Sequence, residues 1–372
     1  MTVTSITATS PILTEALDDM LGKRTRRHTP SPATESAFAG QTVLVTGAGG
    51  SIGSEIVTVL CAMNDVTVYL LDRDETLLQR TMFGISKDGL LNSDNTILVD
   101  IRDRKYLTRV VSSVKPDIVF HAAALKHLPL LENHPVEGVK SNIFGTQNVL
   151  HAARVAGAHT FVNISTDKAA DPTSVLGATK HVAEQLTAEH NDTSMRAVSV
   201  RFGNVLGSRG SLLEVVQHSI NAGTPIKLTD ERMTRFFMTI NEAAHLVIEA
   251  AAMTCEPGNL FVLDMGQPVR IIDLVTAYLS ASGQQNPGIT YTGLRAGEKL
   301  CEQIYATAET HQRTTNPRIS QTTIEQMTRD EHHKLAGLEE AVFGAGREND
   351  QRVIDMLSRL VGTYTPASPH AA

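Results

Sequence analysis

Residues 42–56 read TVLVTGAGGSIGSEI. A short apolar run, 42–45, meets a glycine-rich turn and then a helical stretch, 54–63. Gly47, Gly50 and Gly53 stand in the spacing G-x-x-G-x-x-G. The first glycine permits a tight turn. The second lets the backbone approach a pyrophosphate, and the third lets helix and strand pack closely. Amides at the helix start, around Ser51 and Ile52, then face the anion. Asp72 stands nineteen positions beyond Gly53, at the end of the next apolar run, 66–71. A carboxylate there accepts from an adenosine ribose hydroxyl, which favours NAD. Arg73 next to it keeps NADP open, because an arginine can hold a 2′-phosphate.

The same rhythm continues outward. Apolar runs at 96–99, 117–121, 160–164 and 197–201 alternate with helical stretches at 104–114, 135–156 and 174–190. Short buried strands alternating with helices mean a parallel sheet covered on both faces. The fold class is therefore α/β, a Rossmann-like doubly wound sheet of six strands. After Arg201 the rhythm breaks. Helical stretches at 212–221, 241–252 and 271–282 mix with short strands at 226–228, 260–263 and 289–291, as in a smaller mixed α/β substrate domain.

The expected division is 1–38 as a flexible leader and 39–202 as the dinucleotide-binding domain, with 203–305 as mainly the substrate domain. Residues 306–372 are then a C-terminal extension packing on the core, with an amphipathic helix near 350–360. The leader holds one short helix near 14–21 and a basic cluster, Lys23, Arg24, Arg26 and Arg27.

Composition excludes several classes. With 41% apolar and 20% charged residues, the chain is neither disordered nor fibrous. A net charge of −7 gives no general attraction to nucleic acid or an anionic membrane. Cys61, Cys255 and Cys301 form neither a CxxC pair nor a zinc spacing, so no metal site is expected, only buried or idle thiols. The N-terminus lacks a basic segment followed by an apolar core, and no apolar run is long enough to cross a bilayer. A cytoplasmic protein without a membrane span is expected.

Topology adds positions to the dinucleotide site. Asp100 and Ile101 follow the third strand, where an adenine ring would lie. Ala122, Ala123 and Ala124 follow the fourth and are small enough for the nicotinamide half to approach, and Asn142 lies in the next helix.

TGAGGSIGSE, HAAALKHLPLLE, SNIFGTQNV, STDKAADPTSVLGATK and RFGNVLGSRGS together resemble the extended short-chain dehydrogenase/reductase superfamily. Within it they resemble the UDP-N-acetylglucosamine 4,6-dehydratases of bacterial polysaccharide and glycan synthesis, over nearly the whole chain. DDMLGK, TTNPRIS and SRLVGTYTP are similar to segments of the family's long, membrane-anchored branch, whose membrane helices this sequence lacks. The resemblance thus implies a stand-alone, soluble version of that branch's catalytic domain. One position departs from the superfamily. Its Y-x-x-x-K motif here reads Leu176-Gly-Ala-Thr-Lys180. Leucine exchanges no proton, but an apolar residue at this position is common in the long branch, so the departure agrees with it and argues against a tyrosine-dependent 4-epimerase.

The resemblance implies the roles. Asp167 is the acid toward the C6 hydroxyl and Lys168 the base for the C5 proton. Thr166 with Lys180 handles the C4 hydroxyl proton, and Lys180 also holds the nicotinamide ribose. Asp167 and Lys168 are adjacent, so both can serve only if the chain has already turned out of its strand. Lys126, His127, Asn204 and Arg209 are candidate substrate contacts. Arg235 and Arg295 are candidate pyrophosphate clamps, and Glu298 a ribose contact. The implied partners are a UDP-sugar and a second copy of the chain, paired through the helices at 135–156 and 174–190. The product would be a 6-deoxy-4-keto sugar, with retention at C5 favoured. The competing readings are a C4 epimerase, a dehydratase of another nucleotide sugar, and a non-catalytic NAD-binding protein.

Overall fold

A computed structural model describes residues 29–86, 94–254, 256, 258–344 and 350–366. The helix and basic cluster expected in the leader lie outside the described residues. The first described element is α1 (Pro32–Phe38). There follow β1 (Thr42–Thr46), α2 (Ser51–Cys61), β2 (Thr67–Asp72), α3 (Glu75–Ile85), β3 (Thr96–Leu98), α4 (Arg104–Val114) and β4 (Ile118–His121). Next, α5 (Leu128–Asn133) and α6 (Pro135–Gly138) run through a π turn, Val139–Phe144, into α7 (Gly145–Ala156). The helix expected over 135–156 thus contains one wide turn. β5 (Thr160–Ile164), α8 (Val175–Glu189) and β6 (Arg196–Arg201) complete the alternating part.

The second half holds β7 (Asn204–Leu206), α9 (Leu212–Ala222), β8 (Ile226–Leu228), β9 (Thr234–Arg235), β10 (Phe237–Thr239) and α10 (Ile240–Ala252). It continues with β11 (Asn259–Leu263), β12 (Val269–Arg270), α11 (Ile271–Ser282), β13 (Ile289–Tyr291), β14 (His311–Arg313), β15 (Ile319–Thr323), α12 (Arg329–Phe343) and α13 (Asp350–Leu360).

The main sheet runs β14-β15-β11-β6-β5-β4-β1-β2-β3. Its first six strands are parallel in the doubly wound order, with the switch point between β1 and β4. Three further strands extend it. β11 pairs in parallel with β6, and β15 and β14 follow antiparallel. Strands from the expected substrate domain and the C-terminal extension therefore cover what would be a bare edge at β6.

β1 shows why the strands read as unbroken apolar runs: Val43, Leu44 and Val45 are all fully buried. Leu44 faces one core with Phe161 and with Leu150 and Val182 of α7 and α8. Val43 and Val45 face the other, with Ile56 and Leu60 of α2 and Val247 of α10. A separate cluster joins Leu213 and Val216 of α9 to Leu274 and Tyr278 of α11.

One expectation needs correction. Residues 32–38 are not a free leader. The Ser31 hydroxyl caps α1 by accepting from the Thr34 amide, and Phe38 is fully buried against Phe120 with ring centroids 6.2 Å apart. The helices expected at a second copy also pack within this chain. Val139, Ile143, Val149 and Leu150 share a buried cluster with Leu335 and Leu338 of α12 and Val353 and Leu357 of α13. Phe343 packs edge-on to Phe144, with centroids 5.5 Å apart.

Arg201, at the end of β6, is fully buried between two carboxylates. Its Nε and Nη2 donate to Glu184 of α8 at 3.0 and 2.7 Å. Its Nη1 and Nη2 donate to Glu309 at 2.7 and 3.0 Å, and Nη1 also reaches the Ile304 carbonyl at 3.1 Å. Burial works against ionisation of Glu184, but Arg201 and the Ser165 hydroxyl hold its carboxyl below the usual range. Removing one partner of a buried ionic group strands the others. Arg201→Met should therefore cost about 3–5 kcal/mol in chemical denaturation. A loss below about 1 kcal/mol would remove this role.

Candidate active site

The glycine turn lies at the switch point of the sheet. Gly47 has φ +68°, and a Cβ added there would lie 2.5 Å from the Ala123 amide nitrogen. A Cβ on Gly53 would lie 2.1 Å from the Gly47 carbonyl oxygen. Both positions therefore exclude any side chain. Gly49 is equally constrained, since its Cβ would lie 2.4 Å from Leu77 Cβ. Its amide donates to Asp72 Oδ2 at 2.9 Å, so Asp72 also fixes the loop that it borders.

From this turn a groove runs along the carboxyl ends of the strands. Gly47, Gly50, Asp72, Arg73, Asp100, Ile101 and Ala122–Ala124 line it, all expected from the sequence. Leu77, Val99, Leu125 and Ser141 line it too and carry no local signal. Asp100 accepts from Arg102 Nη2 at 2.7 Å and lies 3.6 Å from Arg73. Burial opposes its ionisation, but these arginines hold its carboxyl below the ordinary value. The groove fits a dinucleotide on one structural ground in particular. The buried Ser141 hydroxyl lines it and has no hydrogen-bond partner among the described residues.

Asn142 does not line this groove. Its Oδ1 accepts from the Leu125 amide at 2.8 Å, and its Nδ2 donates to the Leu125 carbonyl and the Thr179 hydroxyl. The π turn thus presents Asn142 as a tether for the chain beyond β4. A second buried group sits close by. The Thr146 hydroxyl donates to the Asn142 carbonyl, which leaves it to accept from His121 Nε2 at 2.9 Å. His121 Nδ1 then accepts from Thr46 at 2.7 Å. Burial, with the charge of Lys180, pushes the imidazole down to about 3.

Beyond β5 the chain leaves the strand, as the two reactive roles require, and Asp167–Ala169 form one turn of 3₁₀ helix. Lys168 Nζ donates to Asp167 Oδ1 at 2.9 Å and to Asn204 Oδ1 at 3.2 Å. The Thr166 hydroxyl donates to the same Asp167 oxygen at 3.0 Å. Asp167 is fully buried, and its Oδ2 has no partner among the described residues. The Lys168 side chain keeps 19% of its exposure, while that of Asp167 keeps none.

Leu176 sits in the core, on the helix that carries Lys180. Burial pulls the Lys180 ammonium down to about 8, against the charge of Glu184, and its Nζ lies 3.4 Å from Asn163 Oδ1. No hydrogen bond joins Lys180 to Thr166 among the described residues.

Other expected substrate contacts are arranged differently. Arg209 reaches back to the glycine loop. Its amide donates to the Ser51 hydroxyl at 3.0 Å, and its guanidinium to the Gly49 carbonyl. Lys126 donates to the Arg209 carbonyl at 2.8 Å, and burial first and the Arg209 charge second lower its ammonium pKa. His127 packs on Gly210, where an added Cβ would lie 2.6 Å from its ring. Lys126, His127 and Arg209 thus tie the chain after β7 to the chain after β4 and to the glycine loop.

Arg235 holds main-chain carbonyls of its own chain. Its Nη1 donates to the carbonyls of Thr234 and Leu300, and its Nη2 to that of Lys299. Arg295 is exposed, and Glu298 accepts from its amide at 3.0 Å.

Contacts that the sequence did not suggest hold the chain just after the Asp167–Ala169 turn from outside. Lys299 Nζ donates to the carbonyls of Ala170 and Asp171. Asp171, at φ +44°, accepts from the amide and hydroxyl of Thr307 at 2.8 and 2.7 Å. Thr173 donates to the Gly297 carbonyl at 3.1 Å.

Cys61 and Cys301 are free, exposed thiols, while Cys255 lies outside the described residues. Among the described residues no helix is long and apolar enough to cross a membrane.

A Rossmann-like sheet with a glycine-loop groove at its switch point and a buried Asp–Lys turn beside it defines the structural class. A family model described as "Polysaccharide biosynthesis protein" matches residues 43–324, and the chain belongs to that family. It is 42% identical over 307 residues to the "Probable polysaccharide biosynthesis protein EpsC" of Bacillus subtilis. That match covers 81% of this chain and 51% of the relative, so the chain spans about half of that protein's length. It is 33% identical to a "UDP-N-acetylglucosamine 4,6-dehydratase (inverting)" of Campylobacter jejuni, over 74% of this chain and 80% of that one. The solved structure of Pen from Bacillus thuringiensis superposes with a TM-score of 0.70 at 30% identity. It covers 82% of this chain and 99% of that one.

The His121 ring yields a pH prediction. Between pH 6.5 and 3 the unfolded chain takes up a proton that the folded chain refuses. The stability present above 6.5 is therefore lost as pH falls through that window. Going from pH 7 to 5, His121→Asn should lose about 2 kcal/mol less than the unaltered protein in urea unfolding. Equal losses would show that the ring does not titrate in this way.

Proposed function

We propose that the chain is a nucleotide-sugar 4,6-dehydratase that converts UDP-N-acetylglucosamine to a UDP-6-deoxy-4-keto sugar with retention at C5. One observation carries this reading. An amine and a carboxyl, Lys168 and Asp167, meet at 2.9 Å on one buried turn at the carboxyl end of the sheet. Eliminating water across C5 and C6 needs a base and an acid at those two carbons, whereas moving a hydride at C4 alone needs only a base for the C4 hydroxyl. The family membership and the core position of Leu176, where a tyrosine-dependent epimerase needs a phenol, support the same reading.

The dinucleotide, when bound, supplies a hydride acceptor at C4 and a hydride donor at C6. Gly47, Gly50 and the first turn of α2, with Ser51 and Ile52, would hold its pyrophosphate. Asp72 and Asp100 would border its adenosine half. Ile101, Ala122, Ala123, Ala124 and Ser141 would line its path. Two carboxylates at that end, with Arg73 drawn toward Asp100, favour NAD over NADP.

Lys180 would hold the nicotinamide ribose, and its lowered pKa lets it accept the C4 hydroxyl proton passed through Thr166. Lys168 takes the C5 proton. Asp167 gives a proton to the departing C6 hydroxyl once a bound sugar takes over its contact with Lys168. Lys126, His127, Asn204 and Arg209 would close on the substrate. Arg295 and Glu298 remain candidates for the nucleotide end. A cytoplasmic location belongs to the same proposal, and recovery of the protein in the membrane fraction of cells would oppose it.

The test is mass spectrometry after incubation with UDP-N-acetylglucosamine and NAD. Loss of one water is expected, falling by at least about 100-fold in Asp167→Asn and Lys168→Ala. An unchanged mass with inversion at C4 would instead make the chain an epimerase.

A further inference from the structure

The loop between β7 and α9 is tied to the glycine turn. Gly207 and Gly210, at φ +73° and +68°, bracket Arg209 within it. The Arg209 amide donates to the Ser51 hydroxyl at 3.0 Å, and its guanidinium to the Gly49 carbonyl. These two acceptors stand on either side of Gly50, the residue that precedes α2. The Gly49 peptide is thereby held at both ends, since its amide donates to Asp72 Oδ2 at 2.9 Å.

The loop is anchored from its other flanks as well. The Arg209 carbonyl accepts from Lys126 Nζ at 2.8 Å, and the Gly210 amide donates to Glu214 Oε2 at 2.6 Å. Glu214 lies in the first turn of α9, whose Leu213 and Val216 are buried in the separate cluster with α11. The His127 ring fills the space beside Gly210 so closely that an added Cβ would lie 2.6 Å from it. Each of these contacts joins protein to protein, so the strap does not draw its closure from a ligand.

We propose that Arg209 is a positioning residue that fastens this loop to the glycine turn, so that a dinucleotide resting on the amides at the start of α2 leaves only when the strap opens. The role rests on the reading above, in which one dinucleotide serves first at C4 and then at C6 of the same sugar. A dinucleotide lost between the two transfers would leave the sugar oxidised at C4 and the turnover incomplete. Arg209 can hold the strap and still meet a substrate, because the Gly49 carbonyl takes only one of the five N–H groups of a guanidinium.

The direct test needs no sugar. The full chain is loaded with tritiated NAD and chased with excess unlabelled NAD. In Arg209→Ala the release rate should rise at least about tenfold, the scale of one charge-assisted hydrogen bond. A strap that opens for both entry and exit slows both, so the association rate should rise by a similar factor and the Kd should change little. Gly210→Ala keeps every charge but crowds His127, and its exchange should quicken in the same way. Arg209→Lys keeps a donor for the Gly49 carbonyl and should recover part of the slow exchange. Unchanged release in Arg209→Ala and Gly210→Ala overturns the proposal. Faster release at an unchanged association rate also overturns it, because that pattern means a direct grip of Arg209 on the dinucleotide. Dehydration with unaltered exchange would sink the strap alone. Quickened exchange in the variants with no dehydration by any of the proteins would sink the functional reading and leave the strap standing.

Discussion

Arg201 joins parts of the chain that no local pattern connects. It lies at the end of β6, its two carboxylate partners come from α8 and from residue 309, and all three groups are withdrawn from water. Glu184 also takes the Ser165 hydroxyl at 2.6 Å, two residues before Asp167. Glu309 accepts from the Ala306 amide and so fixes the segment that carries Thr307 onto Asp171. The guanidinium thus locks the turn after β5 to the chain that crosses over it. Without that lock the turn would be an ordinary loop, free to relax toward solvent. Such a network stabilises modestly once desolvation is counted, but it tolerates no missing partner.

The two sides of the cleft are built on different physical terms. On the dinucleotide side, shape dominates, since Gly47, Gly49 and Gly53 leave no room for a side chain. On the reactive side, charge dominates. Asp167 with Lys168, and Glu302 with Arg235, are two largely buried pairs of opposite charge. In such surroundings the position of each proton depends on the neighbours more than on the intrinsic acidity of any one group. The loop carrying Arg209 spans the two sides, with its amide on Ser51 and its carbonyl on Lys126.

Much of this was legible in the sequence because it is local. Strands buried on both faces read as apolar runs, and the turn chemistry of TGAGGSIG is spelled within eight residues. The exit of the chain from β5 before Asp167 follows from the adjacency of two residues that must work together. What was not legible depends on distance along the chain. The partners Arg201 and Glu309 are 108 positions apart, and Asp171 and Thr307 136. Asn142 and Arg235 were recognised as important, but the groups they hold could not be read from spacing. Asn142 ties down Leu125, and Arg235 ties down the segment leading to Glu302. α12 and α13 join the buried cluster of α7 and α8 from the far end of the sequence, which no local pattern in either segment announces.

The central claim is that one sugar loses hydride at C4 and regains it at C6, around an elimination run by Lys168 and Asp167. The most direct measurement uses UDP-N-acetylglucosamine carrying deuterium at C4, with the product read by NMR. The account predicts that the deuterium appears at C6 of the 4-keto product, within the molecule that carried it. Deuterium still at C4 of a C4-inverted sugar would contradict it, and so would its loss to solvent.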